Sequence, residues 1–147
     1  MLLKKSFFLE IFPKKLTKKK IIKIKNINSK KSFNILRNLK FDLGIVFGCR
    51  KIDFKIIRLF KFGIINIHRG IIGKYRGLDS DLWAIYNKDF KNIGTCIHFI
   101  DKKLDTGPII KQKKITLTNK TKIFHLRYLT TVLATEMLIT FSKKKIA

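Results

Sequence analysis

The chain has 147 residues, a length that fits one domain with a sizeable buried core. Its apolar fraction of 46% argues against disorder, no apolar run approaches the roughly 20 residues of a membrane-spanning helix, and two cysteines cannot form a disulfide scaffold. The net charge of +25 is concentrated in the two terminal regions. This excess of lysine fits either a genome-wide drift toward A/T-rich codons or a polyanionic partner such as RNA.

Residues 1–40 are a basic segment, which we expect to pack on the rest of the domain through short helices. A first amphipathic helix is predicted to end at Phe12, and no small-residue cleavage site of a signal peptide follows it. We therefore expect a cytoplasmic protein without a membrane span. Residues 21–27 are rich in isoleucine and predict an extended stretch, and Asn28 or Ser29 predicts the cap of a short helix.

Residues 41–147 show the alternating pattern of an α/β domain with a closing helix. Four apolar runs bounded by turn residues predict buried strands, over residues 42–48, 62–68, 94–100 and 108–115. Amphipathic spacing predicts helices between and after them, over residues 53–60, 80–87 and 120–141. Strands that alternate with helices predict a largely parallel sheet flanked by helices, and neither a repeat nor a linker indicates a second domain.

Asn66 and His68 lie at the end of the second predicted strand. Residues two apart in a strand point to the same side, so both side chains project together at the sheet edge where ligands bind in open α/β folds. An amide beside an imidazole supplies two directed donors, which suits a developing oxyanion. Taken alone, the pair also fits a structural role, in which Asn66 caps a turn and His68 satisfies a backbone group.

Two further loops carry candidate residues. Asp101 and Asp105 lie between the third and fourth predicted strands, where Asp-Thr-Gly is a common turn sequence. The alternative is a carboxylate at Asp105 that orients His68 and relays a proton. Tyr75 and Arg76 lie in a glycine-bounded loop, where they either frame a ligand or anchor the loop over the sheet.

Five segments together give a far more specific pattern than any single residue. In chain order they are Asn66-Ile-His68, Tyr75-Arg-Gly77, Trp83-Ala-Ile-Tyr-Asn87, Gly94-Thr-Cys-Ile-His98 and Leu104-Asp-Thr-Gly-Pro-Ile109. Their order and spacing closely resemble the formyltransferases that use 10-formyltetrahydrofolate, which act on methionyl-tRNA, glycinamide ribonucleotide or nucleotide-linked amino sugars. The resemblance implies a Rossmann-like formyltransferase fold. We expect it to lack its first strands, because only residues 1–40 precede the predicted core.

The resemblance also implies roles for individual residues. Asn66, His68 and Asp105 match the catalytic Asn, His and Asp of the family, where amide and imidazole hold the tetrahedral oxyanion and the carboxylate assists proton transfer. The folate donor is expected to lie against two strand ends, which by position are Phe47, Gly48, Cys49, Arg50, Ile100, Asp101 and Leu104. No metal is implied, and we expect the thiol of Cys49 and the imidazole of His98 to be structural.

The acceptor implied by the resemblance is a small-molecule amine. Arg69 stands where the family often has proline, and its charge suits an anionic acceptor or the glutamate tail of the folate. Tyr75 and Arg76 are expected to frame the substrate. A nucleotide-linked amino sugar is favoured, because a methionyl-tRNA enzyme would be expected to carry an additional C-terminal domain.

Two other hypotheses stay open at this point. The lysine-rich ends would suit an RNA-binding module built on the same fold, although no aromatic residues interleave with those lysines as stacking platforms. The short N-terminal region would suit a catalytically inactive remnant. A sheet without its first strands would also expose an edge, which a homo-oligomer could cover.

Overall fold

The computed structural model describes residues 22–146, with side chains to residue 142. This part of the chain contains four strands and four α-helices joined by loops. The strands are β1 (Gly44–Phe47), β2 (Ile64–His68), β3 (Gly94–Phe99) and β4 (Ile109–Lys114). The helices are α1 (Lys30–Leu39), α2 (Phe54–Ile57), α3 (Ser80–Tyr86) and α4 (His125–Ile146), with a single 3-10 turn at Phe90–Asn92.

Each predicted strand and helix within residues 28–146 is confirmed, with ends displaced by a few residues. Ser29 caps α1 as expected, because its Oγ accepts a hydrogen bond from the Ser32 amide at 3.1 Å. The stretch over residues 22–27 is irregular and forms no strand. The helix predicted up to Phe12 lies outside the described residues. None of the described helices is both long and apolar enough to cross a membrane.

The sheet has the order β1-β2-β3-β4, and only its first pairing is parallel. The expectation of a largely parallel sheet is therefore corrected, because β3 runs antiparallel to both of its neighbours. The cause is the connection over residues 69–93, whose α3 has only seven residues and is roughly 10 Å long. The connection does not return along the sheet, so β3 starts where β2 ends, with Cys96 opposite His68.

The strand register separates a polar face of the sheet from an apolar one. Asn66 lies opposite His98, and His68 lies opposite Cys96, so all four side chains share a face. The apolar face packs against α4 in one core cluster. On the polar face, α1 and α2 pack over β1 and the start of β2 in a second cluster. Room for a site therefore lies over the middle of the sheet, beside β2 and β3.

Within residues 22–146, the two edge strands of the sheet differ in charge. β4 has the sequence Ile-Ile-Lys-Gln-Lys-Lys, and lysines on an edge strand oppose pairing with another chain. β1 has the sequence Gly-Ile-Val-Phe and carries no charged side chain. Covering of an exposed edge by a homo-oligomer stays a prediction, as does the division into residues 1–40 and 41–147.

Candidate active site

Asp105 lies at the centre of a buried polar cluster on the polar face of the sheet, and only 6% of it is exposed. Its Oδ2 accepts a hydrogen bond from the Gly77 amide at 2.8 Å and lies 3.5 Å from His68 Nδ1. Its Oδ1 lies 3.2 Å from Asn66 Nδ2 and 3.4 Å from His98 Nε2. Burial acts to raise the pKa of Asp105, but contacts with His98 and the Gly77 amide outweigh it and lower that pKa. The carboxyl is therefore ionised at neutral pH.

The Asn66 amide directs both of its hydrogens into this cluster. Its Nδ2 lies 3.1 Å from His98 Nε2 and 3.2 Å from Asp105 Oδ1. An ionised carboxylate can only accept hydrogen bonds, so the nitrogen of the amide must face Asp105, which fixes the orientation of the side chain. An oxyanion bound here would compete with Asp105 and His98 for these two hydrogens.

His98 belongs to the cluster, although the sequence favours a structural role for it. It is 1% exposed, and its Nδ1 lies 2.8 Å from the Phe99 carbonyl oxygen. Nδ1 therefore carries a hydrogen, and Nε2 lies between two groups of the cluster, 3.1 Å from Asn66 Nδ2 and 3.4 Å from Asp105 Oδ1. His98 thus orients the predicted catalytic amide. The position of His98 along its predicted strand could indicate this role, but only when the direction of β3 is known, because that direction decides which residue of β2 lies opposite His98.

His68 faces an acceptor at each ring nitrogen. Nε2 lies 3.0 Å from the Tyr75 carbonyl oxygen, and Nδ1 lies 3.5 Å from Asp105 Oδ2. Burial lowers the pKa of His68, and the neighbouring Asp105 opposes this effect without reversing it. The ring is therefore neutral at pH 7, and the shorter contact places its proton on Nε2. Nδ1 keeps a lone pair beside Asp105, whose charge would stabilise an added proton there.

Close packing at Gly70 holds α3 against His68. A Cβ atom on Gly70 would lie 2.5 Å from His68 Nε2 and 2.6 Å from Ser80 Cβ, so a larger residue does not fit without a shift. Ser80 is itself buried, and its hydroxyl donates to the Gly77 carbonyl oxygen at 3.1 Å. The loop and the start of α3 therefore form a fixed wall beside the imidazole.

The three residues expected to bind substrate are held in different ways. The Tyr75 hydroxyl donates to Asp89 Oδ2 at 3.1 Å, and its carbonyl oxygen contacts His68, which matches the anchoring alternative. Arg69 is half-buried and Arg76 is exposed. Binding of a substrate by these three residues stays a prediction.

The loop after β1 forms one wall beside the cluster. Phe47 packs into the core with α4, and Arg50 is exposed. Gly48 has a φ of 64° and open space where a Cβ would lie, which leaves room for a ligand to approach the backbone. Burial raises the pKa of Cys49, and this fits the packing role expected for its thiol.

The loop between β3 and β4 forms the opposite wall. Ile100 packs against the same core cluster as Cys49. Asp101 Oδ1 accepts hydrogen bonds from the Lys103 amide at 2.9 Å and from the Thr106 hydroxyl at 2.7 Å, so its carboxylate holds the turn. Leu104 is 54% exposed. The structure brings the two predicted folate-binding loops to the same side of the sheet, and their contact with a folate stays a prediction.

The cluster places the neutral imidazole of His68 and the primary amide of Asn66 each within 3.5 Å of the ionised carboxylate of Asp105. Such a set can take up a proton and donate hydrogen bonds to developing negative charge. A family model described as formyl transferase matches residues 8–140, which is most of the chain. The chain belongs to the formyl transferase family.

Individual members of the formyl transferase family show how far the likeness extends. The methionyl-tRNA formyltransferase of Thermodesulfovibrio yellowstonii is 35% identical over 105 residues, which is 71% of this chain and 34% of the relative. The bifunctional polymyxin resistance protein ArnA of Wigglesworthia glossinidia brevipalpis is 36% identical over 97 residues, 65% of this chain and 15% of that protein. This chain thus spans about a third or less of these relatives.

A solved formyl transferase structure confirms the Rossmann-like formyltransferase fold. The formyltransferase PseJ from Anoxybacillus kamchatkensis, in complex with UDP-4,6-dideoxy-4-formamido-L-AltNAc and tetrahydrofolate, superimposes with a TM-score of 0.62 at 28% identity. The match covers 69% of this chain and 53% of PseJ.

Proposed function

We propose that this formyl transferase family member moves a formyl group from 10-formyltetrahydrofolate to an amine. The observation that carries the proposal is the buried contact of Asp105 with Asn66 and His68, because these side chains can transfer a proton and hold an oxyanion. Open space at Gly48 and the exposed side chain of Leu104 support a donor site between the two loops.

In the mechanism that we propose, the cluster takes up a proton from the acceptor and later releases it to the leaving group. The acceptor nitrogen would bond to the formyl carbon, and the bond from that carbon to the folate nitrogen would break. His68 Nδ1, supported by Asp105, would take the proton that the amine loses and return it to the departing nitrogen. While Nδ1 is protonated, the imidazolium would neutralise Asp105, so a hydrogen of Asn66 would be free to bind the oxyanion.

We propose a nucleotide-linked amino sugar as the acceptor class to test first. The structural likeness to PseJ, whose complex contains a UDP-linked formamido sugar, supports this choice. The likeness to methionyl-tRNA formyltransferases supports the alternative of an RNA-linked amine. The net charge of +25 would favour RNA as well, so salt dependence separates the two classes.

The direct test is formyl transfer from 10-formyltetrahydrofolate to a panel of amino-sugar nucleotides and to methionyl-tRNA. We expect His68→Ala to lower the transfer rate by about 100-fold or more. His125→Ala is the matched control, because His125 lies at the start of α4, outside the cluster, and its loss should leave the rate unchanged.

Binding of the stable 5-formyl analogue, measured by calorimetry, tests the donor site separately from the acceptor. Folate affinity should change little between about 50 and 200 mM salt, whereas RNA affinity should fall steeply over that range. A folded protein that neither binds the analogue nor transfers the formyl group would overturn the proposal. RNA binding without folate binding would favour the RNA-binding module instead.

A further inference from the structure

A lysine and a phenylalanine face each other across the two loops that flank the cluster. Lys102 lies in the loop between β3 and β4, and its Nζ is 4.7 Å from the centre of the Phe54 ring. Phe54 is the first residue of α2, at the end of the loop that follows β1, and 43% of it is exposed. The pair therefore spans the mouth between the two walls.

The backbone on each side of this pair is held in place. Asp101 fixes the turn that carries Lys102 by accepting from the Lys103 amide and the Thr106 hydroxyl. On the opposite wall, Asn28 Oδ1 accepts from the Asp53 amide at 2.9 Å, which secures the start of α2. Both side chains are thus presented from ordered backbone, which lowers the entropy lost when a ligand binds.

The charge of Lys102 is available to an anion. The neighbouring Lys55 is already paired with Asp53 at 3.7 Å. Within residues 22–142, no carboxylate oxygen lies within 4.0 Å of Lys102 Nζ, which contacts an aromatic face instead. An aromatic face beside an uncompensated ammonium group matches a ligand that carries an aromatic ring followed by a carboxylate.

We propose that Phe54 and Lys102 bind the benzoyl-glutamate tail of the folate donor. The Phe54 ring packs against the benzoyl ring, and the Lys102 ammonium pairs with a glutamate carboxylate. This inference rests on the proposed function, because the folate head must lie between the same two loops. In this inference, side chains recognise the tail of the folate, whereas the head of the folate is expected to contact mainly the backbone of the two loops.

The test compares two ligands by calorimetry: 5-formyltetrahydrofolate, and 5-formyl-6-methyltetrahydropterin, which lacks the tail. Lys102→Ala should weaken binding of the complete folate about fivefold, the upper range for an exposed ion pair. Phe54→Ala should weaken it by a similar factor. Both variants should bind the tail-less pterin as the unchanged protein does. Salt should act on folate binding only through this one ion pair, so high salt should weaken binding to the unchanged protein by less than about fivefold and should weaken binding to Lys102→Ala even less.

Lys61→Ala is the matched control, because Lys61 lies 4.9 Å from the Phe62 ring in a similar exposed contact away from the two loops. Circular dichroism and thermal unfolding should show that all variants are folded. If the unchanged protein binds the folate and the Lys102 and Phe54 variants bind it equally well, the tail site is wrong and the proposed function stands. If the unchanged, folded protein binds neither ligand, the proposed function itself fails.

Discussion

Replacing Asp105 with asparagine tests whether one carboxylate organises the buried cluster. Asparagine has nearly the same shape and also tolerates the left-handed backbone found here, with a φ of 49°. The substitution therefore removes the charge and turns one acceptor oxygen into a donor nitrogen. In the unchanged protein, the two oxygens accept from the Gly77 amide at 2.8 Å and from Asn66 Nδ2 at 3.2 Å. In the variant, one of these donors must face an NH₂ group.

The expected cost follows from that single orphaned donor. A buried donor that loses its acceptor costs about 1–3 kcal/mol, so the free energy of unfolding should fall by about 2 kcal/mol. Under the proposed mechanism, His68 Nδ1 also loses the charge that supports its proton. Formyl transfer by Asp105→Asn should therefore fall by about 100-fold or more.

Urea unfolding at about pH 8, where His68 is neutral, measures the change in the free energy of unfolding. Asp79→Asn is the matched control, because Asp79 also has a left-handed backbone, with a φ of 54°, but its side chain is 48% exposed. Its ion pair with Arg127 is at the surface, so this control should lose at most about 1 kcal/mol. Equal losses for Asp105→Asn and Asp79→Asn would refute the organising role of Asp105.

Three further predictions concern neighbouring residues. Because burial lowers the pKa of His68 below 6.5, folding stability should fall as the pH drops below that value, and His68→Gln should flatten this fall in urea unfolding at successive pH values. Gly70→Ala should cost about 1–3 kcal/mol by overpacking, measured by thermal unfolding, and adding Ser80→Gly should recover part of the loss. Burial raises the pKa of Cys96 to about 12, so mass spectrometry should show no alkylation of Cys96 in the folded protein and full alkylation in urea.

The sequence determined the local features of this protein. Apolar runs located each strand within residues 22–146, and the two candidate caps, Asn28 and Ser29, located the start of α1 to within one residue. The two-residue spacing of Asn66 and His68 placed their side chains on one face, because the pleat of a strand imposes that alternation in any fold. The family signature was also readable, since it depends on the order of residues along the chain.

Only the tertiary structure decided which distant residues meet. The direction of β3 depends on where the connection over residues 69–93 ends, and the alternation of side chains along a strand is the same for either direction. That direction sets His98 opposite Asn66, and the loop after β3 then carries Asp105 over the same face. Asp105 and Asn66 are 39 residues apart, so their contact depends on the packing of the whole sheet and on burial, which local periodicity does not specify.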